Sequence, residues 1–342
     1  MTNDATLPHG GAALIGLDWG TSSLRAFRFD AAGQVQQMRH RPWGIMNLPA
    51  AADGQAHATP AAAFEHAFDD VCGDWLQAQP GIPVLACGMV GSAQGWREAT
   101  YLESPTSLDH LARGLTVVAH SAGPRVHIVP GLLQRGELPN VMRGEETQVL
   151  GVMAASALPD DATVLIGLPG THSKWVLARR RSIAQFHTFM TGEVFAALRG
   201  HTILGRTMQA AEAPDDAAFA RGLQVARSGE ASLGLLSHIF STRTLGLTGA
   251  LPGTAQADYL SGLLIGHEVA ALAAQQAPGT PPAHVVLCGE PDLCRRYALA
   301  LSVYGLPAPE TADNATARGL WQIASAAALV APSEPRSTEA AR

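Results

Sequence analysis

The hydrophobic pattern opens with two short apolar runs, Leu14–Trp19 and Leu24–Phe29, separated by the small polar stretch Gly20-Thr21-Ser22-Ser23. Runs of this length around a tight turn predict a pair of strands. Over 60–78, Phe64, Phe68, Val71 and Trp75 recur at helical spacing and predict one buried helix face. Ile82–Cys87 reads as a short strand ending in Gly88-Met89-Val90-Gly91-Ser92, and Val126–Val129 as another ending in Pro130-Gly131. Glu145–Met153 returns to helical spacing. Strands alternating with helices, with glycine-rich turns after the strands, predict an α/β fold.

A second unit is expected from about Asp161. Thr163–Leu168 is a compact apolar strand, Pro169-Gly170-Thr171-His172-Ser173 a turn, and Lys174–Leu177 a second strand. This repeats the opening arrangement and predicts two related domains facing each other across a cleft. The stretch 208–234 is helical in pattern but poorly bounded. A firmer helix spans 256–275, where Gly262 and Gly266 predict close packing at the junction of the domains; Pro278–Pro282 end it. His284–Cys288 reads as a strand ending in Gly289-Glu290, followed by helices over 292–302 and Asp313–Val330 and a polar tail, Pro332–Arg342.

The two strand–turn–strand units carry the chemistry. Asp18 stands at a strand end, where a carboxylate can hold a hydrated metal ion. Gly20 lets the backbone approach a phosphate, and Thr21 and Ser22 offer hydroxyls. This grip differs from the glycine-rich loop that opens a helix, and it predicts nucleotide-dependent phosphoryl chemistry.

Composition narrows the picture. At 342 residues and 47% hydrophobic content, two domains with sizeable cores are expected. The net charge of −6 and the absence of a basic stripe argue against nucleic-acid binding. No apolar run is long enough for a membrane span, and Met1–Gly11 lacks a signal-peptide pattern. The cysteines Cys72, Cys87, Cys288 and Cys294 form no CxxC pair and suit a reducing compartment; Cys87 and Cys288 read as buried structural thiols.

Five segments together resemble the 2-dehydro-3-deoxygalactonokinase family, sugar-acid kinases of the actin, sugar-kinase and Hsp70 superfamily. They are Ile15–Arg25, Ala86–Trp96, Met142–Gln148, Leu168–Trp175 and Phe189–Glu193. The resemblance implies a cytoplasmic enzyme with two ribonuclease-H-like domains, 12–160 and 161–330, facing each other across a catalytic cleft. In it the last helix is free to pack on the first domain. It also implies ATP, Mg2+ and transfer of the γ-phosphoryl group to the 6-hydroxyl of 2-dehydro-3-deoxy-D-galactonate, in D-galactonate breakdown. The partner is then a small-molecule sugar acid, neither nucleic acid nor membrane, with homo-oligomerisation left open. A kinase for another sugar acid or a ketose, and a non-kinase ATPase or sugar sensor, are the alternatives.

Within that frame Asp18 is expected on the magnesium side, and Gly20, Thr21 and Ser22 at the β- and γ-phosphates. Gly170, Thr171, His172, Ser173 and Lys174 are expected at the terminal phosphate. Arg25 reads equally as a phosphate or substrate contact or as a structural ion pair. The second turn has no aspartate to take the acceptor proton, so Glu145 and Glu146 are the candidates. They open a helix, whose N-terminus favours carboxylates, and adjacent positions point different ways. Gly88, Ser92, Gln94, Trp96, Arg97, Arg143 and Glu193 are the substrate candidates. Of these Arg97 and Arg143 suit a carboxylate, and Trp96 either stacks on the sugar or fills a core. Gly289 resembles the adenosine-side turn of the superfamily.

Overall fold

The computed structural model describes residues 12–51, 54, 57–156, 162–179, 182–228, 233–275 and 284–330. The N-terminal stretch, the boundary near Asp161, the Pro278–Pro282 break and the C-terminal tail lie outside them. The described residues fall into two compact units. One draws on residues 12–156, 182–185 and 314–330, the other on 162–179 and 186–313.

In the first unit β1 (Leu14–Trp19), β2 (Leu24–Phe29) and β3 (Val35–Arg41) form an antiparallel meander. β1 is buried almost throughout because it has neighbours on both sides and cover on both faces. β3, Val-Gln-Gln-Met-Arg-His-Arg, is mostly exposed, as its few apolar residues dictate for a sheet edge; that polarity is why the periodicity did not mark it. α1 (Pro60–Ala78) begins where the Thr59 hydroxyl accepts from the Ala62 N–H at 3.2 Å and Pro60 presets the first turn. Its predicted apolar face is buried against Ile15, Leu17 and Trp19 in one core.

β4 (Val84–Cys87) runs parallel to β1. Then follow β5 (Tyr101–Glu103), β6 (Thr106–Ser107), α2 (Leu108–Arg113), β7 (Thr116–Ala119), β8 (Arg125–Ile128), β9 (Gly131–Gln134), β10 (Asn140–Met142) and α3 (Glu145–Ala155). The main sheet has the order β3-β2-β1-β4-β8-β7; a small one, β10-β9-β5, delivers the chain to α3.

The second unit repeats the scheme. β11 (Thr163–Leu168), β12 (Ser173–Arg179) and β13 (Ser182–Phe189) are successive neighbours in its sheet, with β12 antiparallel to β11. The first four residues of β13 group with the first unit. α4 (Thr191–His201), α5 (Asp216–Arg227), α6 (Leu235–His238), α7 (Ser241–Leu247) and α8 (Gln256–Gln275) lead to β14 (His284–Leu287), parallel to β11. α9 (Pro291–Val303) and β15 (Glu310–Thr311) complete the unit, and α10 (Ala315–Ala326) belongs with the first. The order β13-β12-β11-β14-β15 matches β3-β2-β1-β4-β8 strand for strand.

Three expectations change. Among the described residues the helix sought in 208–234 is α5, which starts where the Asp215 side chain caps the Ala218 N–H. Gly262 and Gly266 pack against α5 of their own unit, not at a junction: a Cβ on Gly262 would stand 2.1 Å from the Phe219 carbonyl oxygen, and one on Gly266 2.7 Å from Ala226. Cys288 is only partly buried, because it lies one residue past the end of β14. Among the described residues no helix is long and apolar enough to cross a membrane.

Candidate active site

The end of β1 organises the first unit's candidates. Asp18 is paired in register with Arg25 across the β1–β2 hairpin and with Cys87 on β4. Of the two readings of Arg25, the structure realises the ion pair, with Asp18. The turn between the strands closes with the Gly20 N–H donating to Ser23 O at 2.9 Å. Its outer carbonyls, Gly20 O and Thr21 O, accept from Ile45 and Met46. Thr21 and Ser22 themselves stay exposed.

Two glycines bring further segments onto this strand end. Gly88 has φ +93° and ψ −157°, a conformation open essentially to glycine, and a Cβ there would stand 2.8 Å from the Trp19 carbonyl oxygen. Gly144, φ +108°, lies against Gly88, its virtual Cβ 3.1 Å from Gly88 Cα. The N-terminus of α3 is thereby set beside Asp18 and Gly88.

The two glutamates there differ, as adjacent helix positions must. Glu145 is partly exposed and takes the Arg143 backbone N–H on Oε2 at 3.0 Å. Glu146 is fully buried, accepting from the Gly144 N–H at 2.6 Å and the Thr147 hydroxyl at 3.1 Å. Burial, and after it the Glu145 charge, raises the Glu146 pKa to about 7. Ser92 is buried and its hydroxyl has no partner, whereas Gln94 and Arg97 are exposed. Trp96 resolves toward the core: it stacks on Phe64 and sets an edge against Trp19.

In the second unit the turn after β11 lies against the start of α4. A Cβ on Gly192 would meet Gly170 O at 2.5 Å, and the Glu193 N–H donates to Thr171 O at 3.0 Å. Gly170 faces open space, and Thr171 is exposed. His172 and Glu193, assigned to phosphate and substrate from the sequence, contact each other through the imidazole Nε2 and the carboxylate. Ser173 and Lys174 are both buried, and the Ser173 hydroxyl donates inward to Glu268 at 2.8 Å.

Glu268, on α8, escaped the sequence reading. Its buried carboxylate accepts from Ser173, from Trp175 Nε1 at 2.7 Å, from Tyr297 at 2.8 Å and from Thr191. It thus ties β12, α4 and α9 to α8 directly behind the turn. Burial raises its pKa against the pull of these four donors. The available signal was a carboxylate set among apolar residues in the middle of the 256–275 helix.

Gly289 lies against the same turn, its virtual Cβ 3.2 Å from Pro169 O. Beside it opens a cavity of about 340 Å3, walled by Gly170, Gly192, Ser261, Leu264, Glu290 and Tyr297 among others. Asp258 and Arg296 pair in its wall. It is a partly apolar pocket that borders the turn at Gly170.

A model of the 2-keto-3-deoxy-galactonokinase family matches residues 18–323. A protein of Rhizobium meliloti (strain 1021), described as a candidate 2-dehydro-3-deoxygalactonokinase, is 37% identical over 321 residues, covering 90% of this chain and 97% of its own. The 2-dehydro-3-deoxygalactonokinase of Escherichia coli (strain K12) is 34% identical over 323 residues, covering 93% and 99%. A crystal structure from Sinorhizobium meliloti, described as a candidate for the same enzyme, shares 34% identity and superposes with a TM-score of 0.79, covering 92% of this chain and 98% of that one.

Proposed function

The chain belongs to the 2-keto-3-deoxy-galactonokinase family, within the actin, sugar-kinase and Hsp70 superfamily, and from that premise we propose that it phosphorylates 2-dehydro-3-deoxy-D-galactonate at the 6-hydroxyl. The products are the 6-phosphate and ADP. The observation that carries this reading is the family match, which runs through both strand–turn–strand grips. In this proposal each unit is a ribonuclease-H-like domain carrying one such grip.

The residues present fit ATP. The open space at Gly170 leaves room for a phosphate against the turn, and the cavity beside Gly289 takes the adenosine. Thr21, Ser22 and Thr171 offer exposed hydroxyls to the phosphates. The donor set also suits Mg2+. Among the described residues no three carboxylate, histidine or cysteine groups converge, and this ion keeps most of its water, binding through one or two carboxylates and substrate phosphates. Asp18 is the carboxylate for it, once released from Arg25. The ion supplies charge neutralisation at the phosphates.

In the transfer the 6-hydroxyl oxygen bonds to the γ-phosphorus, and the bond from that phosphorus to the bridging oxygen of ADP breaks. The hydroxyl proton passes to the Glu145 carboxylate, which has the solvent access that Glu146 lacks. Glu146 instead holds the Gly144 turn. Most of the rate comes from positioning and electrostatics, as phosphoryl transfer requires.

The test is incubation of purified protein with ATP, Mg2+ and, separately, 2-dehydro-3-deoxy-D-galactonate, its D-gluconate epimer and D-galactonate, read by product mass. A single phosphate added preferentially to the first supports the reading. Preference for another acceptor, or ATP hydrolysis without a phosphorylated acid, refutes it.

A further inference from the structure

Arg143 carries a positive charge into the first unit and, among the described residues, meets no negative partner there. The residue is 8% exposed. Its Nη2 donates to Ala99 O at 2.9 Å, and its guanidinium carbon sits 4.3 Å from the centre of the Tyr101 ring. Nε and Nη1 are buried and donate to nothing. Among the described residues no carboxylate pairs with the guanidinium; the Arg143 backbone N–H, not its side chain, donates to Glu145. Folded proteins keep buried charges paired, because an uncompensated one is strongly unfavourable. A buried water would satisfy an N–H but not the charge.

The neighbouring segment adds a second orphan. A Cβ on Gly91 would stand 3.0 Å from Arg143 Nη1, so the guanidinium rests beside the Gly91–Ser92 backbone. Ser92 is 7% exposed, and its hydroxyl is buried without a partner. Unpartnered donors from two separate segments, one carrying full charge, are what an acceptor-only anion requires. The Tyr101 ring and Ala99 carbonyl hold the guanidinium in place before any ligand arrives.

We propose that Arg143, with Ser92, receives the carboxylate of the keto-deoxy sugar acid and makes the enzyme select acids over neutral sugars. This rests on the kinase reading above and names the residue that reads the acid. Arg97, the other cation considered, is exposed to water, where a pairing contributes little.

The experiment compares 2-dehydro-3-deoxy-D-galactonate with its neutral 1-carboxamide as phosphate acceptors, for the wild type, Arg143→Met, Arg143→Lys and Ser92→Ala. The wild type is expected to favour the acid in kcat/KM by about a hundredfold or more. Arg143→Met should raise KM for the acid at least thirtyfold, leave KM for ATP within twofold and bring the acid-to-amide ratio below about ten. Arg143→Lys restores part of the preference, and Ser92→Ala costs severalfold. A folded Arg143→Met that keeps the wild-type ratio overturns the proposal. Should that variant fail to fold, unchanged ratios in both Arg143→Lys and Ser92→Ala overturn it equally. Wild type that neither phosphorylates the acid nor binds it by calorimetry brings down the kinase reading and this one together. Wild-type turnover with an unchanged ratio in the variants removes only the role of Arg143.

Discussion

Glu146→Gln removes a charge that the fold keeps wholly out of water. In the folded chain burial first, then the Glu145 carboxylate, raises the Glu146 pKa from 4.5 to about 7. The unfolded chain has no such burial and loses this proton near the ordinary value. Between those two pH values the folded state binds more protons than the unfolded state, so stability falls as pH rises through the window. At about 1.4 kcal/mol per tenfold change in proton affinity, the whole window amounts to about 3 kcal/mol. Glutamine preserves the shape and an oxygen for the Gly144 N–H, but it has no proton to lose. The stability difference between variant and wild type should therefore grow in the variant's favour by about 2–3 kcal/mol from pH 5 to pH 8. Urea unfolding at constant ionic strength measures it. Tryptophan fluorescence reports chiefly on the right unit, since Trp19, Trp43, Trp75, Trp96 and Trp321 all belong to the first. Parallel pH dependences for the two proteins would refute the burial argument.

Three further outcomes are expected. Glu145→Gln should lower kcat about a hundredfold or more with KM for ATP little changed, since a positioned base contributes on that scale; equal, small effects of Glu145→Gln and Glu146→Gln in steady-state kinetics would remove both from proton transfer. Asp18→Asn should cut turnover at least about tenfold while melting as the wild type does, because its partner Arg25 is solvent-exposed and the pair adds little stability. Gly88→Ala should destabilise the first unit by about 3 kcal/mol in thermal unfolding, from the positive φ and the contact with the Trp19 carbonyl, and a melting point within a degree of wild type would contradict that geometry.

The local elements with strong periodicity were legible in the chain. The β1–β2 and β11–β12 hairpins, the buried face of α1 and the helical start at Glu145 follow from spacing, turn chemistry and capping, all of which act between residues near in sequence. The five matching segments carried the family, because small and hydroxyl residues recur in them in a particular order. Tertiary structure decided the rest. β3 is a polar strand, stabilised by its neighbour β2 and not by its own pattern. Ser173 turns inward because Glu268, from a helix distant in sequence, supplies its acceptor. Glu146 acquires its raised pKa only when α3 buries it, and α10 finds α3 through Gly151 and Gly319, which admit the facing backbones of Ala315 and Thr147. Burial, charge pairing and close backbone approach are properties of residues that meet in space. The sequence by itself determined which short segments form and which residue types they carry; the fold determined which polar groups stay exposed and which face each other.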